Sequence, residues 1–238
     1  MDRFWFDYLA WSNPPEFTQG VYFGAAELTN GSTILRDSDA DFSTLDLSQI
    51  INLHVHWGTK SAGINDKSLD EDDSGATANA GVYRIVRVVD DNTLEIEPAA
   101  RADERVSYSI GRRAYYRMRV NNCDFFVLDT RGHRELHDVN EPSKKGLSML
   151  GKAQLDWLIS GMKSSDADFF FIVSSVNLMI PHVGGGESST RPTKNESWTV
   201  FLEEREKLLG FWDLLDKPVL TLTGDLHNSF VIRITDNV

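Results

Sequence analysis

The sequence predicts an α/β fold that is preceded by a small β-rich segment. Three short apolar runs, 125–128 (FFVL), 169–173 (FFFIV) and 218–222 (PVLTL), have the composition of strands buried on both faces. Two stretches with helical periodicity lie between these runs. Alternating strands and helices are typical of a layered α/β fold with crossover connections. The texture changes near residue 110, so we expect a β-rich segment over 1–110 and the α/β part over 111–238.

The β-rich segment contains two clear strand signals. Residues 1–45 combine aromatic and turn-forming residues and predict little regular structure beyond a helical turn or two. Residues 44–57 alternate apolar and polar side chains and predict a strand. Residues 58–80 are polar and acidic, which favours an extended loop. Two β-branched runs, 81–89 and 93–97, flank an Asp-Asp-Asn turn and predict a hairpin.

The α/β part begins with a pair of strands. Residues 114–120 and 123–128 meet at an Asn-Asn pair, which predicts a tight turn. Residues 150–162 and 198–215 each place apolar side chains on one face and predict helices. The run 231–235 (VIRIT) predicts a strand that pairs beside the last of the three apolar runs.

Composition excludes several classes of function. The net charge of −12 argues against general nucleic-acid binding and means that a phosphate substrate needs metal ions or local arginines. The single cysteine, Cys123, excludes an internal disulfide and a thiolate zinc cage, and we expect it to be buried or half-buried. No apolar run is long enough to span a bilayer, and the N-terminus has no secretory signal pattern. The oligomeric state stays open.

Each of the three apolar runs ends in side chains that are capable of chemistry. Ligands of open α/β sheets bind at the carboxyl ends of the strands, so we expect one site built from three strand ends. The first run leads into Asp129, Thr130 and Arg131, the second into Asn177 and His182, and the third into Asp225 and His227.

Every candidate in this site also has a structural interpretation. Asp225 and His227 suit a metal such as Zn, Mn or Fe, but a capping aspartate and a hydrogen-bonded histidine fit as well. Arg131 could hold phosphate bidentately or pair with a nearby acid. Asn177 is either an oxygen ligand or substrate contact, or a strand-end hydrogen bonder. His182 precedes three glycines that could approach a substrate, although a surface loop is the default.

Other histidines offer weaker metal patterns. His54 and His56 share one face of a predicted strand, which allows a metal pair, but an exposed polar face explains them equally well. His133 and His137 lie four residues apart, a metal-binding spacing only on a helix, and the adjacent glycine favours a loop. Residues 45–110 could also form a carbohydrate- or protein-binding β module.

Three stretches, FFVLDTRGHR, MLGKAQLDWL and TGDLHNS, resemble signatures of the PhoD-like branch of the metallophosphoesterases. The first resembles a Leu-Asp-Thr-Arg signature, the second a Leu-Gly-X-X-Gln-X-X-Trp-Leu helix start, and the third a Gly-Asp-X-His motif. Their order and approximate spacing also agree with the family. The resemblance covers 111–238, and 1–110 matches less clearly, as a variable β-rich insertion would.

The resemblance implies a metal-dependent phosphoric ester hydrolase, either a phosphomonoesterase or a phosphodiesterase, which acts on a phosphate ester. It implies a layered sandwich with two central sheets, and divalent or trivalent ions such as Ca, Fe, Mn or Zn at the strand ends. His227 is then the best metal ligand, and Asp225 is a ligand or orients an imidazole. Asn177 is then an oxygen donor or a substrate contact. With Arg131 and His182, which are selected from their positions in the sequence, it completes our set of candidate catalytic residues.

The early aspartate-rich motifs of that family are missing from this sequence. Gly224-Asp225 is the only Gly-Asp pair, and no Asn-His pair occurs. We therefore expect the chain to be the C-terminal portion of a longer enzyme, with a metal site that binds weakly in isolation. The alternative is a non-catalytic fragment or binding module that keeps the fold without a complete metal site. The family is often exported, so the compartment stays open.

Overall fold

The computed structural model describes residues 22–56, 78–135, 146–180, 198, 200–224 and 229–234. The chain divides into two compact units. The first contains Met1–Ala114 and Gly132–Leu136, and the second contains Tyr115–Arg131 and His137–Val238. The division after Ala114 lies near the predicted change of texture at residue 110. Nothing in the sequence indicated that Gly132–Leu136 would belong to the first unit.

The described residues of the first unit form a closed barrel of six antiparallel strands in the order β1-β2-β5-β4-β3-β6. The strands are β1 (Tyr22–Leu28), β2 (Ile34–Arg36), β3 (Ile50–Val55), β4 (Gly81–Asp90), β5 (Thr93–Glu97) and β6 (Glu104–Arg112). Alternate residues fill the interior, as Leu53, Tyr108 and Ile110 do with no exposed surface. Closure leaves no sheet edge in this barrel.

The barrel confirms two sequence predictions and corrects two others. The hairpin of β4 and β5 is present, with Asp90 paired to Thr93, and the strand predicted over 44–57 is β3. The expectation of little regular structure over 1–45 is wrong from Tyr22 onward, because β1 and β2 lie there. Gly31 adopts a φ of 76° and so allows the tight turn that joins these two strands. β6 was not predicted, although its Val106 packs in the core at 1% exposure.

The described residues of the second unit form a four-stranded sheet and two α-helices. Its elements are β7 (Tyr116–Val120), β8 (Cys123–Val127), α1 (Gly151–Lys163), β9 (Phe169–Ser174), α2 (Leu202–Asp213) and β10 (Val219–Thr223). The strand order is β10-β9-β8-β7, with β8, β9 and β10 parallel and β7 antiparallel to β8. This confirms the predicted alternation of strands and helices. The described part of the unit contains this one sheet, so a sandwich of two sheets is not shown.

The turn between β7 and β8 and its surroundings follow local chemistry. Asn121 has a φ of 53°, a left-handed conformation that asparagine tolerates, so the predicted tight turn is confirmed. Asp124 follows it with a fully buried side chain, which accepts from Arg117 Nη2 at 2.5 Å and Arg119 Nε at 2.6 Å. Ser165 Oγ also donates to this carboxylate. Asp124 is therefore a buried charge with its partners in place.

One face of the second sheet is buried, and the other is half-buried on β8 and β9. Phe126 and Phe170 belong to a core cluster with residues of α1 and α2 such as Leu158 and Leu208. The prediction that all three apolar runs are buried on both faces is wrong, because β10 is an edge strand whose Leu222 is 48% exposed. The strand expected over 231–235 is also wrong, since 231–234 has no regular structure and is exposed. Residue 235 lies outside the described residues.

Candidate active site at the strand ends

The carboxyl ends of β8, β9 and β10 meet at one edge of the second sheet. Thr223 pairs with Ser174 in parallel register, so β9 and β10 end together. The hydroxyl groups of Thr130, just after β8, and Ser175, just after β9, form a hydrogen bond with 2.5 Å between their oxygen atoms. A side chain on Gly224 would bring its Cβ within 3.6 Å of the Ser175 carbonyl oxygen. The predicted meeting of three strand ends is therefore present in the described backbone.

Gln154 of α1 fixes the first of these strand ends. Its side chain is fully buried, and its Oε1 accepts from the Asp129 N–H at 2.8 Å while its Nε2 donates to the Asp129 carbonyl at 2.9 Å. The amide thus pairs with both peptide groups of one residue. Nε2 also donates to the Leu150 carbonyl at 3.1 Å. This role was missed from the sequence, although Gln154 is the glutamine of the Leu-Gly-X-X-Gln-X-X-Trp-Leu helix start that resembles the family signature.

Arg131 stands just beyond this anchored residue. Its backbone N–H donates to the Asp129 carboxylate at 2.9 Å, which closes a tight turn. The Arg131 residue is exposed to solvent. The turn places its backbone directly after Thr130, whose hydroxyl group contacts that of Ser175.

Asn177 is the most unusual polar group of this edge. It is only 4% exposed, and its Oδ1 accepts from the Ile180 N–H at 2.7 Å. That contact identifies the oxygen of the amide, because a backbone N–H can only donate. The buried Nδ2 has no hydrogen-bond partner among the described residues. Leaving such a donor unpaired costs about 1–3 kcal/mol, so an acceptor in the site would stabilise the fold.

Asn177 is one of the residues that line a cavity of about 960 Å³. Thr221 and Thr223 are other lining residues with polar side chains, and Leu222 and Ile232 have apolar ones. The volume is sufficient for a small organic phosphate. The cavity and the amide lie within the second unit.

Three of the predicted site residues, His182, Asp225 and His227, lie outside the described residues. Their distances to Arg131 and Asn177 therefore stay predictions. The part of the chain that the structure describes contains no group of three His, Cys, Asp or Glu residues able to hold a metal ion. The unpaired atom of Asn177 is an N–H donor, which suits an anion and not a cation. The described residues thus fit a phosphate group, and the metal-ligand roles of Asp225 and His227 stay predictions.

His54 of β3 and His56, which directly follows that strand, are both engaged in hydrogen bonds. His54 Nε2 contacts the Gly132 carbonyl at 3.3 Å, and His56 contacts Ser109 Oγ at 3.0 Å and Ser107 Oγ at 3.3 Å. Burial lowers the pKa of His56, which favours its neutral form. These contacts favour the polar-face interpretation of the pair. His137 lies outside the described residues, so the pair with His133 stays untested.

Comparison with known proteins assigns the chain to a family. A model of the PhoD-like phosphatases matches residues 94–238. The chain belongs to the PhoD-like phosphatase family. The predicted resemblance is thereby confirmed for the family, and the match begins earlier than residue 111, within β5. The wider metallophosphoesterase assignment and the C-terminal placement stay predictions.

One solved structure, described as "Structure of PhoD", is similar to this PhoD-like chain at 26% identity. The match covers 49% of this chain and 24% of the other, with a TM-score of 0.39, so the chain spans about a quarter of that relative. No curated protein matches. Among the described residues, no helix is long and apolar enough to cross a membrane.

Proposed function

We propose that this PhoD-like chain carries out, or forms part of an enzyme that carries out, metal-dependent hydrolysis of phosphoric monoesters or diesters. The observation that supports this most directly is the buried, unpaired Nδ2 donor of Asn177 at the edge where three strands end. Family membership over 94–238 gives the chemical class. The donor gives a reason for a phosphate oxygen to bind at this edge.

In this proposal Asn177 and Arg131 bind the phosphate group. The Asn177 amide donates one hydrogen bond to a non-bridging oxygen, and its Oδ1 stays with the Ile180 N–H. The Arg131 guanidinium can donate two parallel hydrogen bonds to another pair of oxygens. A local cation is needed because the chain carries a net charge of −12, which repels anions. His182 is a third proposed contact.

Asp225 and His227 are the proposed metal ligands. They follow Gly224, which lies beside Ser175, so the chain leaves β10 at the proposed phosphate edge. A carboxylate and an imidazole suit Fe, Mn or Zn, and the carboxylate also suits Ca. When bound, such an ion supplies positive charge to the phosphate and lowers the pKa of a water molecule.

The test compares hydrolysis of p-nitrophenyl phosphate and bis-p-nitrophenyl phosphate with added Ca, Mn, Fe or Zn and with chelator. We expect His227→Ala to reduce kcat/KM by about 100-fold or more. We expect Asn177→Asp to reduce it by about 100-fold, because a carboxylate oxygen then faces the phosphate. Asn30→Asp makes the same charge change at an exposed turn of the barrel and is the control.

Separate results contradict separate parts of the proposal. Full activity in His227→Ala removes that residue from the metal site. Equal activity in Asn177→Asp and Asn30→Asp removes the amide from phosphate binding. A chain that binds inorganic phosphate but hydrolyses neither ester with any of the metals favours the alternative, a binding module.

A further inference from the structure

The cavity that Asn177 lines has mainly apolar side chains in its walls. Two stretches of the second unit contribute most of its lining, residues 219–224, which comprise β10 and the glycine after it, and residues 229–234. Most of the described lining residues are leucine, isoleucine, valine, methionine or phenylalanine. A ligand in this cavity therefore meets largely apolar side chains.

Several of these apolar side chains are exposed to solvent. Leu222 is 48% exposed, and Phe230 and Ile232 are 60% and 51% exposed. Leu220 lies two residues before Leu222 on β10, so both side chains point to the same face of the sheet. Exposed apolar surface that is contiguous usually marks a place where another molecule binds. The lining thus offers a ligand apolar area that water covers poorly.

The cavity includes residues of the edge at which phosphate is proposed to bind. Asn177, Thr223 and Gly224 all line it. Thr223 pairs with Ser174 where β9 and β10 end together, and a Cβ on Gly224 would lie 3.6 Å from the Ser175 carbonyl oxygen. An ester whose phosphate lies at this edge therefore has its organic group next to the apolar lining.

The charge of the lining restricts the organic group further. Among the described lining residues the charged side chain is Arg233, whose guanidinium stays protonated. Its positive charge attracts a phosphate ester as a whole and repels an organic group that is itself a cation. Leucine and isoleucine side chains cannot replace the hydrogen bonds that the hydroxyl groups of a sugar lose on leaving water. An uncharged apolar group thus suits the cavity best.

We propose that this cavity binds the organic group of the phosphate ester and selects esters of apolar alcohols, such as alkyl and aryl phosphates. Leu222 and Ile232 are then residues that determine specificity. The inference rests on the proposed function in one respect, the binding of the phosphate group at the strand ends. The choice of organic group is a separate property with its own test.

Alkylphosphonates measure this specificity without hydrolysis, because their carbon–phosphorus bond is not an ester. Isothermal titration calorimetry of the full chain, with and without added Mn, compares hexylphosphonate with methylphosphonate, which differ only in the length of the alkyl chain. If half of the additional chain leaves water, hexylphosphonate binds about 30-fold more tightly, or about 2 kcal/mol. We expect Leu222→Ser and Ile232→Ser each to lower this ratio about threefold.

Val120→Ser is the matched control. Val120 is exposed on β7, the opposite edge strand of the same sheet, and is not among the described residues that line the cavity. This variant should keep the wild-type ratio, and circular dichroism confirms that each variant is folded. Hydrolysis gives a second measurement, since kcat/KM for hexyl phosphate should exceed that for glucose 6-phosphate by about 10-fold or more.

The outcomes separate the apolar subsite from the proposed function. Equal affinity for the two phosphonates, or a wild-type ratio in both Leu222→Ser and Ile232→Ser, overturns the subsite and leaves the proposed function standing. A chain that binds neither phosphonate and hydrolyses neither ester overturns the proposed function and the subsite with it. Sedimentation that shows a dimer in wild type and a monomer in Leu222→Ser identifies a second copy as the occupant and also overturns the subsite.

Discussion

The amide of Gln154 gives the sharpest prediction about how this molecule holds its candidate site. Gln154→Leu removes three hydrogen bonds, two to Asp129 and one to the Leu150 carbonyl. At about 1 kcal/mol of net stabilisation each, the loss is about 3 kcal/mol. Because position 154 is fully buried, the apolar leucine side chain stabilises the fold there by about 1 kcal/mol. We therefore expect a net loss of about 2 kcal/mol in the free energy of unfolding.

Gln154→Glu makes the test more demanding. The remaining Oε1 can still accept from the Asp129 N–H, but the second oxygen faces the carbonyls of Asp129 and Leu150. A buried, unpaired carboxylate costs about 3 kcal/mol or more. At pH 8 the order of stability should be wild type, then Gln154→Leu, then Gln154→Glu. Acid protonates the carboxylate and restores a donor, so the last gap should shrink as the pH falls.

The assay is urea unfolding followed by tryptophan fluorescence, with Trp157 on the same helix as a reporter. Ala153→Glu adds a charge at the exposed neighbouring position and should change the free energy of unfolding by less than about 0.5 kcal/mol. If Gln154→Glu is as stable as wild type at pH 8, the two-sided pairing of this amide with Asp129 is refuted.

Two further predictions concern charge. Burial alone raises the pKa of Asp124, but hydrogen bonds from Arg119, Ser165 and Arg117 together outweigh it and lower the pKa. The stabilisation is thus present above the ordinary carboxyl pKa and lost as the pH falls through the lowered one. Asp124→Asn should cost about 3 kcal/mol at pH 7, and equal urea midpoints there contradict this. Burial lowers the pKa of His56, so the unfolded chain takes up this proton first and acid destabilises the fold below about pH 6.5. His56→Gln should lose less Tm than wild type between pH 8 and pH 5, and an equal loss refutes the assignment.

The sheet of the second unit was predictable because its signals are local. The runs that become β8, β9 and β10 are short and apolar, and helical periodicity separates them. Barrel closure was not predictable, because β1 pairs with β6 through contacts such as Tyr22 with Ile110, far apart in the sequence. Composition also does not distinguish a central strand from an edge strand, which is why the exposure of β10 was missed.

The sequence predicted where the candidate residues lie in the sheet, but not which hydrogen bonds they make. Strand ends indicated Arg131 and Asn177, since polar residues directly follow apolar runs. Whether the Asn177 Nδ2 donor is paired depends on which groups surround it in the fold, and the sequence does not give these neighbours. The contact between His54 and Gly132 likewise joins residues 78 apart in the chain. Nothing in the sequence around His54 or around Gly132 indicates that these two residues are in contact.

The order of pairing along the chain has a consequence for biosynthesis. Every barrel strand precedes residue 113, so the barrel can close while later residues are still being made. β8 pairs with a strand that begins at Phe169, and the other neighbour of that strand begins at Val219. Such distant pairings form slowly, because a long loop must close before any contact is gained. Within this stretch of chain we therefore expect the edge proposed to bind phosphate to form after the barrel, and Phe126 to stay uncovered until the sheet is made.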